Sequence, residues 1–265
     1  MDNILKIAVM PLDIAWADRD ENLYIMTSMA HRVPRNTDVI VLPELFSTGM
    51  VTDRAMLTGI ADSDSHHPSL DAMRAVAAQC NAAVCGSVAW MTDGGTFVNR
   101  CLFVEPNGET TVYDKRHLFV LGNETEIFSA GTAPAIPVVR FRGWDIAMAI
   151  CFDLRFPEWL RYGADKRYDL LLMPANWPQA RAYAWRQLLI ARAIENQAFV
   201  VGANRSGRSD HGCFDNQSYV FNYLGMPIAQ PIPGARNDGK PDSILVATLS
   251  HSDLDDARRG FPVLP

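Results

Sequence analysis

The chain has 265 residues, 48% of them hydrophobic, with a formal net charge of −6 and a pI near 5.5. That size and apolar content suffice for a large core, while the acidic balance and the lack of a basic stripe argue against nucleic acid and an anionic membrane surface as partners. No apolar run reaches the roughly 18 residues needed to cross a bilayer, and the start, Met1-Asp-Asn-Ile-Leu-Lys6, lacks the basic and long apolar stretches of a secretion signal, so the expected location is the cytoplasm. Five cysteines without paired spacing fit that setting: Cys80, Cys85, Cys101 and Cys213 are expected to be reduced and structural.

In chain order, β-type apolar runs predict strands over 5–10, 39–42, 82–90, 99–105, 111–114, 136–141, 144–150, 169–173, 198–203, 218–222 and 244–249. Helices are predicted at 19–32, 68–80, 157–163 and 180–197. In the last of these Trp185, Leu188, Leu189 and Ala193 share a face, and Pro178 suits the first turn. Asp93-Gly-Gly95, Pro106-Asn-Gly-Glu109 and Arg142-Gly143 supply hairpin turns. Strands alternating with helices predict a mixed α/β protein with helices over the sheets. No linker-like segment interrupts residues 1–265, so one domain is expected. Val39-Ile-Val-Leu-Pro-Glu44 and Leu170-Leu-Leu-Met-Pro-Ala175 echo each other, hinting at two similar halves. The tail, 251–265, has few apolar positions and reads either as a strap over a partner subunit or as a frayed end.

Three segments carry chemistry. In Trp144-Asp-Ile-Ala-Met-Ala-Ile-Cys-Phe-Asp-Leu-Arg-Phe-Pro-Glu158 a buried-strand run stops at Cys151, and Pro157 opens a helix. A thiol at such a turn, near helix N–H groups, is expected to ionise more readily and to serve as a nucleophile. Taken alone, Cys151 reads more readily as an inert core cysteine. In Asp38-Val-Ile-Val-Leu-Pro-Glu-Leu-Phe-Ser-Thr-Gly49, Glu44 stands just past a strand end, suited to acid/base work or to plain solvation. In Thr111-Val-Tyr-Asp-Lys-Arg-His-Leu-Phe119 a short strand delivers Lys115 into a loop. Each signal is weak alone; the set of Glu, Lys and Cys, each at a strand end, is far more specific.

On these three segments the chain resembles the nitrilase (carbon–nitrogen hydrolase) superfamily, over about 6–250. Within it the chain is most similar to the bacterial omega-amidase branch, through Asp-Lys-Arg-His-Leu-Phe119, the Asn123-Glu124 pair, and Ala175-Asn-Trp-Pro followed by Ala191-Arg-Ala-Ile-Glu-Asn196. The resemblance implies a four-layer α-β-β-α sandwich of two mixed sheets with helices outside. It implies Cys151 as nucleophile, Glu44 as general base, and Lys115 with the backbone N–H of Phe152 stabilising the oxyanion, with no metal or cofactor. A second glutamate, Glu124 ahead of Glu126, would hold Lys115 or the substrate amide. Arg155 would grip a substrate carboxylate or pair internally with Asp153 or Glu158. Trp177, Phe119 and Asn176 would shape the pocket, and Arg181 would face its mouth. His117, two residues from Lys115, is not the base in this family.

The expected substrate is a small-molecule amide, specifically a 2-oxo dicarboxylate monoamide such as 2-oxoglutaramate or 2-oxosuccinamate. Alternatives are an aliphatic amidase, an N-carbamoyl-amine hydrolase or a deaminated glutathione amidase; more remote are an isochorismatase-like hydrolase and a non-catalytic scaffold. A nitrilase proper normally has Trp after its cysteine, whereas Phe152 follows here. His66-His67 and His211-x-Cys213 lack a second pair at ligand spacing, no phosphate loop is present, and Asn204–Ser209 reads as a rim loop. Where the branch usually has Gly-Asp-Ser or His-Ser, this chain has Phe214-Asp215-Asn216-Gln217-Ser218, which bears on substrate preference. A homodimer or higher homo-oligomer is the family's habit.

Overall fold

The computed structural model describes residues 3–163, 167–209, 212–232 and 244–264; His211 and Pro265, named above, lie outside them. Along the first half run β1 (Ile4–Val9), α1 (Arg19–Ala30), β2 (Val39–Val41), α2 (Arg54–Ile60), β3 (Asp62–Ser63), α3 (Pro68–Cys80), β4 (Ala83–Met91), β5 (Phe97–Val104), β6 (Thr110–Asp114) and α4 (Glu124–Ile127). The second half holds β7 (Val138–Phe141), β8 (Trp144–Met148), α5 (Pro157–Leu160), β9 (Leu170–Ala175), α6 (Ala182–Asn196), β10 (Phe199–Asn204), β11 (Ser206–Ser209), β12 (Gly212–Asp215), β13 (Tyr219–Phe221), β14 (Gln230–Pro231), β15 (Leu245–Ser250) and α7 (His251–Gly260).

Among the described residues the first sheet has the order β14-β15-β1-β2-β4-β5-β6, with β3 beside β4, and the second β13-β10-β9-β8-β7. Each is built on a parallel triplet, β1-β2-β4 and β8-β9-β10, flanked on both sides by antiparallel strands. The echoed runs are the middle strands of these triplets, β2 and β9, so the internal similarity lies in the topology. Alternation along β1 explains the layering. Leu5, Ile7 and Val9 point into the core shared with Leu170–Met173 and Val200 of the other sheet. Ala8 and Met10 face outward onto Met26 of α1 and Met73 of α3. Outside the second sheet, Trp185 and Leu189 of α6 lie so close over Gly202 that a Cβ there would sit 2.5 Å from Leu189 Cδ1. This is the expected sandwich: two sheets face to face, helices on both outer faces.

Two expectations need correction. The tail is not frayed over His251–Gly260, which forms α7. Ser250 caps α7 by accepting from Asp253 N, Leu254 is buried, and Arg258 reaches Asp169 at 2.8 Å and the carbonyl of Tyr168. With a single buried side chain the helix has no apolar periodicity, and its anchors are distant in sequence. Likewise α2 was not predicted, since only Leu57 of it is buried. Ser206–Ser209 is a strand, not a loop, pairing with β12 in a small hairpin. Among the described residues no helix is long and apolar enough to cross a membrane.

Candidate active site

The site forms where the β2, β6, β8 and β9 ends meet. Beyond β2, the chain turns so sharply that Leu45 takes a left-handed φ of 49°, and its N–H is held by Ser87 Oγ. This turns Glu44 inward, fully buried, with its N–H donating to the carbonyl of Ala175 in the opposite sheet. Lys115, just past β6, is held by its N–H on the carbonyl of Asn99, and its own carbonyl accepts from Gly131. A Cβ on Gly131 would lie 2.1 Å from the backbone oxygen of Asp114. Gly131→Ala is therefore expected to push the Lys115 segment out of place and cost about 1–3 kcal/mol; a shift in the urea midpoint read by circular dichroism checks this.

Beyond β8, Cys151 has φ 44° and opens a 3-10 turn, Cys151–Arg155, with Pro157 first in the helix that follows. A left-handed cysteine costs on the order of 1 kcal/mol, so the turn is fastened from several sides. Asp153 accepts from the N–H of Ile150 and the N–H of His117, and Arg192 of α6 donates to the carbonyl of Leu154. The same Asp153 carboxylate takes the Tyr113 hydroxyl and His117 Nδ1. The His117 ring stacks on Phe156 with centroids 3.7 Å apart. These contacts tie the His117 ring to Asp153 and Phe156.

At the centre, Lys115 Nζ lies 2.7 Å from Glu44 Oε1 and 2.8 and 2.9 Å from the two oxygens of Glu124. Glu124 also accepts from Phe119 N–H, whereas Glu126 is exposed, so Glu124 is the glutamate the fold brings to Lys115. Glu44 Oε2 accepts from Asn176 N–H at 2.9 Å. Burial alone would lower the Lys115 proton affinity, but the carboxylates of Glu124 and Glu44 reverse that and hold the ammonium well above its usual range. The expectation of a readily ionised thiol is overturned. Burial, then the Glu44 carboxylate, push Cys151 well up, and Lys115 with the Asn176 N–H offset this only in part. The Glu44 side chain lies beside the thiol, and the hydrogen bond between them adds to the upward push.

Above this floor lies a small pocket lined by Phe119, Phe152, Arg155, Asn176, Trp177 and Arg181, open to solvent at its mouth. Phe119 and Phe152, 5.1 Å apart, form one wall, and Trp177 the other, buried against Trp185. The Arg155 guanidinium lies 5.2 Å over the Trp177 ring, and Arg181 5.1 Å over Phe119. Asp153 is fully engaged elsewhere, and no carboxylate among the described residues lies within ion-pair reach of Arg155. Arg155 and Arg181 thus line the pocket without a carboxylate partner among the described residues. Ser218 sits behind the pocket, bonded both ways to the Asn204 backbone, while the Asn204 side chain holds Trp177 N–H. Asp215 is at the rim, accepting from Gln179.

Asn99 was missed. Fully buried in β5, it donates to Glu44 Oε1 at 2.9 Å and to Glu124 Oε1 at 3.3 Å. The available signal was an asparagine inside a strand, where that residue type is depleted.

Residues 6–259 match the family profile described as carbon-nitrogen hydrolase. The chain belongs to the carbon-nitrogen hydrolase family. It is an enzyme acting on carbon–nitrogen bonds other than peptide bonds. It is 41% identical over 259 residues to the omega-amidase YafV of Escherichia coli K12, across 97% of this chain and 94% of that one. To the 2-oxoglutaramate amidase of Bacillus subtilis it is 31% identical over 258 residues, across 97% and 95%. Among solved structures it is similar to XC1258 of Xanthomonas campestris, a CN-hydrolase superfamily protein with an arsenic adduct in its active site. There the TM-score is 0.87 at 33% identity, covering 99% of this hydrolase and 96% of that chain.

Proposed function

We propose that this hydrolase is an omega-amidase, releasing ammonia from the distal amide of small 2-oxo dicarboxylate monoamides such as 2-oxoglutaramate and 2-oxosuccinamate. The observation that carries this reading is a cysteine beside a buried Glu–Lys–Glu cluster, under a small pocket with Arg155 unpaired by any described carboxylate. The names of the Escherichia coli and Bacillus subtilis relatives support it.

Cys151 Sγ attacks the amide carbonyl carbon as Glu44 Oε2 takes the thiol proton. The oxyanion is stabilised by the Lys115 ammonium and Phe152 N–H. Glu44 returns that proton to the nitrogen as the C–N bond breaks, leaving a thioester and free ammonia. Glu44 then takes a proton from water; the hydroxide adds to the thioester, the C–S bond breaks, and the proton goes back to sulfur. Glu124 keeps Lys115 charged and in place. Asn176, whose N–H fixes Glu44, also carries a side-chain oxygen with no partner among the described residues, suited to the substrate NH2. Arg155 grips the far carboxylate bidentately, its guanidinium plane set by Trp177. Phe119 closes the pocket over the acyl chain.

The test is ammonia release from 2-oxoglutaramate and 2-oxosuccinamate beside propionamide, an N-carbamoyl amine, deaminated glutathione and a nitrile. Selective turnover of the 2-oxo amides is expected; turnover of another member alone would replace the substrate assignment. Arg155→Met is expected to raise KM for 2-oxoglutaramate by about 100-fold, the loss of a charge-assisted pair, while changing propionamide turnover less than about threefold. We also propose a cytoplasmic homodimer acting without metal or cofactor.

A further inference from the structure

We propose that Asn99 is a positioning residue that fixes Glu44 with a single working oxygen. The inference rests on Glu44 being the base in the reading above.

Glu44 and Glu124 approach one ammonium from two sides, a buried cluster with one more negative than positive charge. The Asn99 amide nitrogen lies between the carboxylates and donates one hydrogen to each. Its own oxygen, also buried, has no partner among the described residues. A flipped amide would set that oxygen against two carboxylate oxygens, so the unpartnered orientation is locked by repulsion. Glu44 Oε1 is thereby filled by two donors, Lys115 Nζ and Asn99 Nδ2. Oε2 has only the Asn176 N–H as backbone donor and is left to exchange the thiol proton. The backbone of Asn99 takes part too, since its carbonyl accepts the Lys115 N–H. One residue of β5 therefore sets the base by its side chain and the cation by its main chain.

The titratable groups facing Glu44 are Lys115 past β6, Glu124 on α4 and Cys151 past β8. None of them substitutes for a neutral donor. Lys115 is already shared with Glu124, and Cys151 gives its proton away during the reaction. A hydrogen bond to the ionised carboxylate favours that form, and removing it favours the protonated, inactive one.

The experiment compares wild type with Asn99→Leu, which keeps the branched shape without a donor, and Asn99→Ala. Two rates are followed across pH: ammonia release from 2-oxoglutaramate and alkylation of Cys151 by iodoacetamide, located by peptide mass spectrometry. The alkylation arm needs no substrate, so a failed substrate panel rejects the omega-amidase reading and leaves this test standing. The expected result is an acidic limb moved upward by about one pH unit, the size set by a hydrogen bond to a charged group. It should appear in both arms, with kcat reduced at least about 10-fold and KM changed less than about threefold. An acidic limb at the wild-type pH in either folded variant would overturn the proposal, whatever the activity. If Asn99→Leu does not fold, Asn99→Ala decides.

Discussion

Cys151→Ser is expected to lower amide turnover by at least about 10,000-fold, as loss of a covalent nucleophile does elsewhere, with little effect on folding. The loss follows from the electrostatics of the pair. Burial and Glu44 already hold the thiol well above its usual range, so taking the proton from sulfur is already the demanding step. An alcohol surrenders its proton far less readily, and the same carboxylate is too weak to take it. Ser fits the turn, whose fastening through Asp153 and Arg192 does not involve the side chain of Cys151. Ammonia release and a thermal melt on the same preparation check both halves. Retention of more than about one hundredth of wild-type turnover with unchanged KM would exclude the thioester route.

Lys115→Met is expected to damage stability and turnover together. Methionine keeps the length of the chain and removes the one charge that two buried carboxylates share. Breaking a buried pair from one side typically costs about 3–5 kcal/mol, because an uncompensated charge remains. The variant relieves this by retaining a proton between the two glutamates. Its folded state then binds more protons than its unfolded state, so its stability falls as pH rises. The measured gap to wild type should widen from pH 5 to pH 8 in denaturant melts; a constant gap would mean the carboxylates separate instead. Turnover should fall by a further factor of about 100 to 1,000, the usual loss of one oxyanion partner.

The architecture was legible because strands buried on both faces read as nearly continuous apolar runs, and because the turns between them carry glycine. Glu44, Lys115 and Cys151 were visible for a related reason: each interrupts the chain just where an apolar run stops. Asn99 stayed hidden because the predicted strand began at it, whereas β5 begins at Phe97. Two residues of offset turned a buried mid-strand amide into an apparent strand boundary. The α7 helix escaped notice because its anchors to Asp169 and Tyr168 are about 90 positions away in sequence, beyond any local pattern. The resistance of the Cys151 thiol to ionisation is likewise a tertiary property. The sequence shows a turn and a proline; only the folded chain shows the carboxylate beside the sulfur.

The hydrogen bond from Glu44 N–H to the carbonyl of Ala175 joins the ends of the two echoed strands across the seam between the sheets. Glu44, Lys115 and Glu124 come from one side of that seam, Cys151 and Asn176 from the other. Neither side alone holds both a nucleophile and a base. During refolding from denaturant, helical content and tryptophan burial are free to recover within each half, but catalysis has to wait for the halves to dock. Regain of turnover is thus a clock for the last long-range step of assembly, and a lag between spectroscopic recovery and ammonia release would time it.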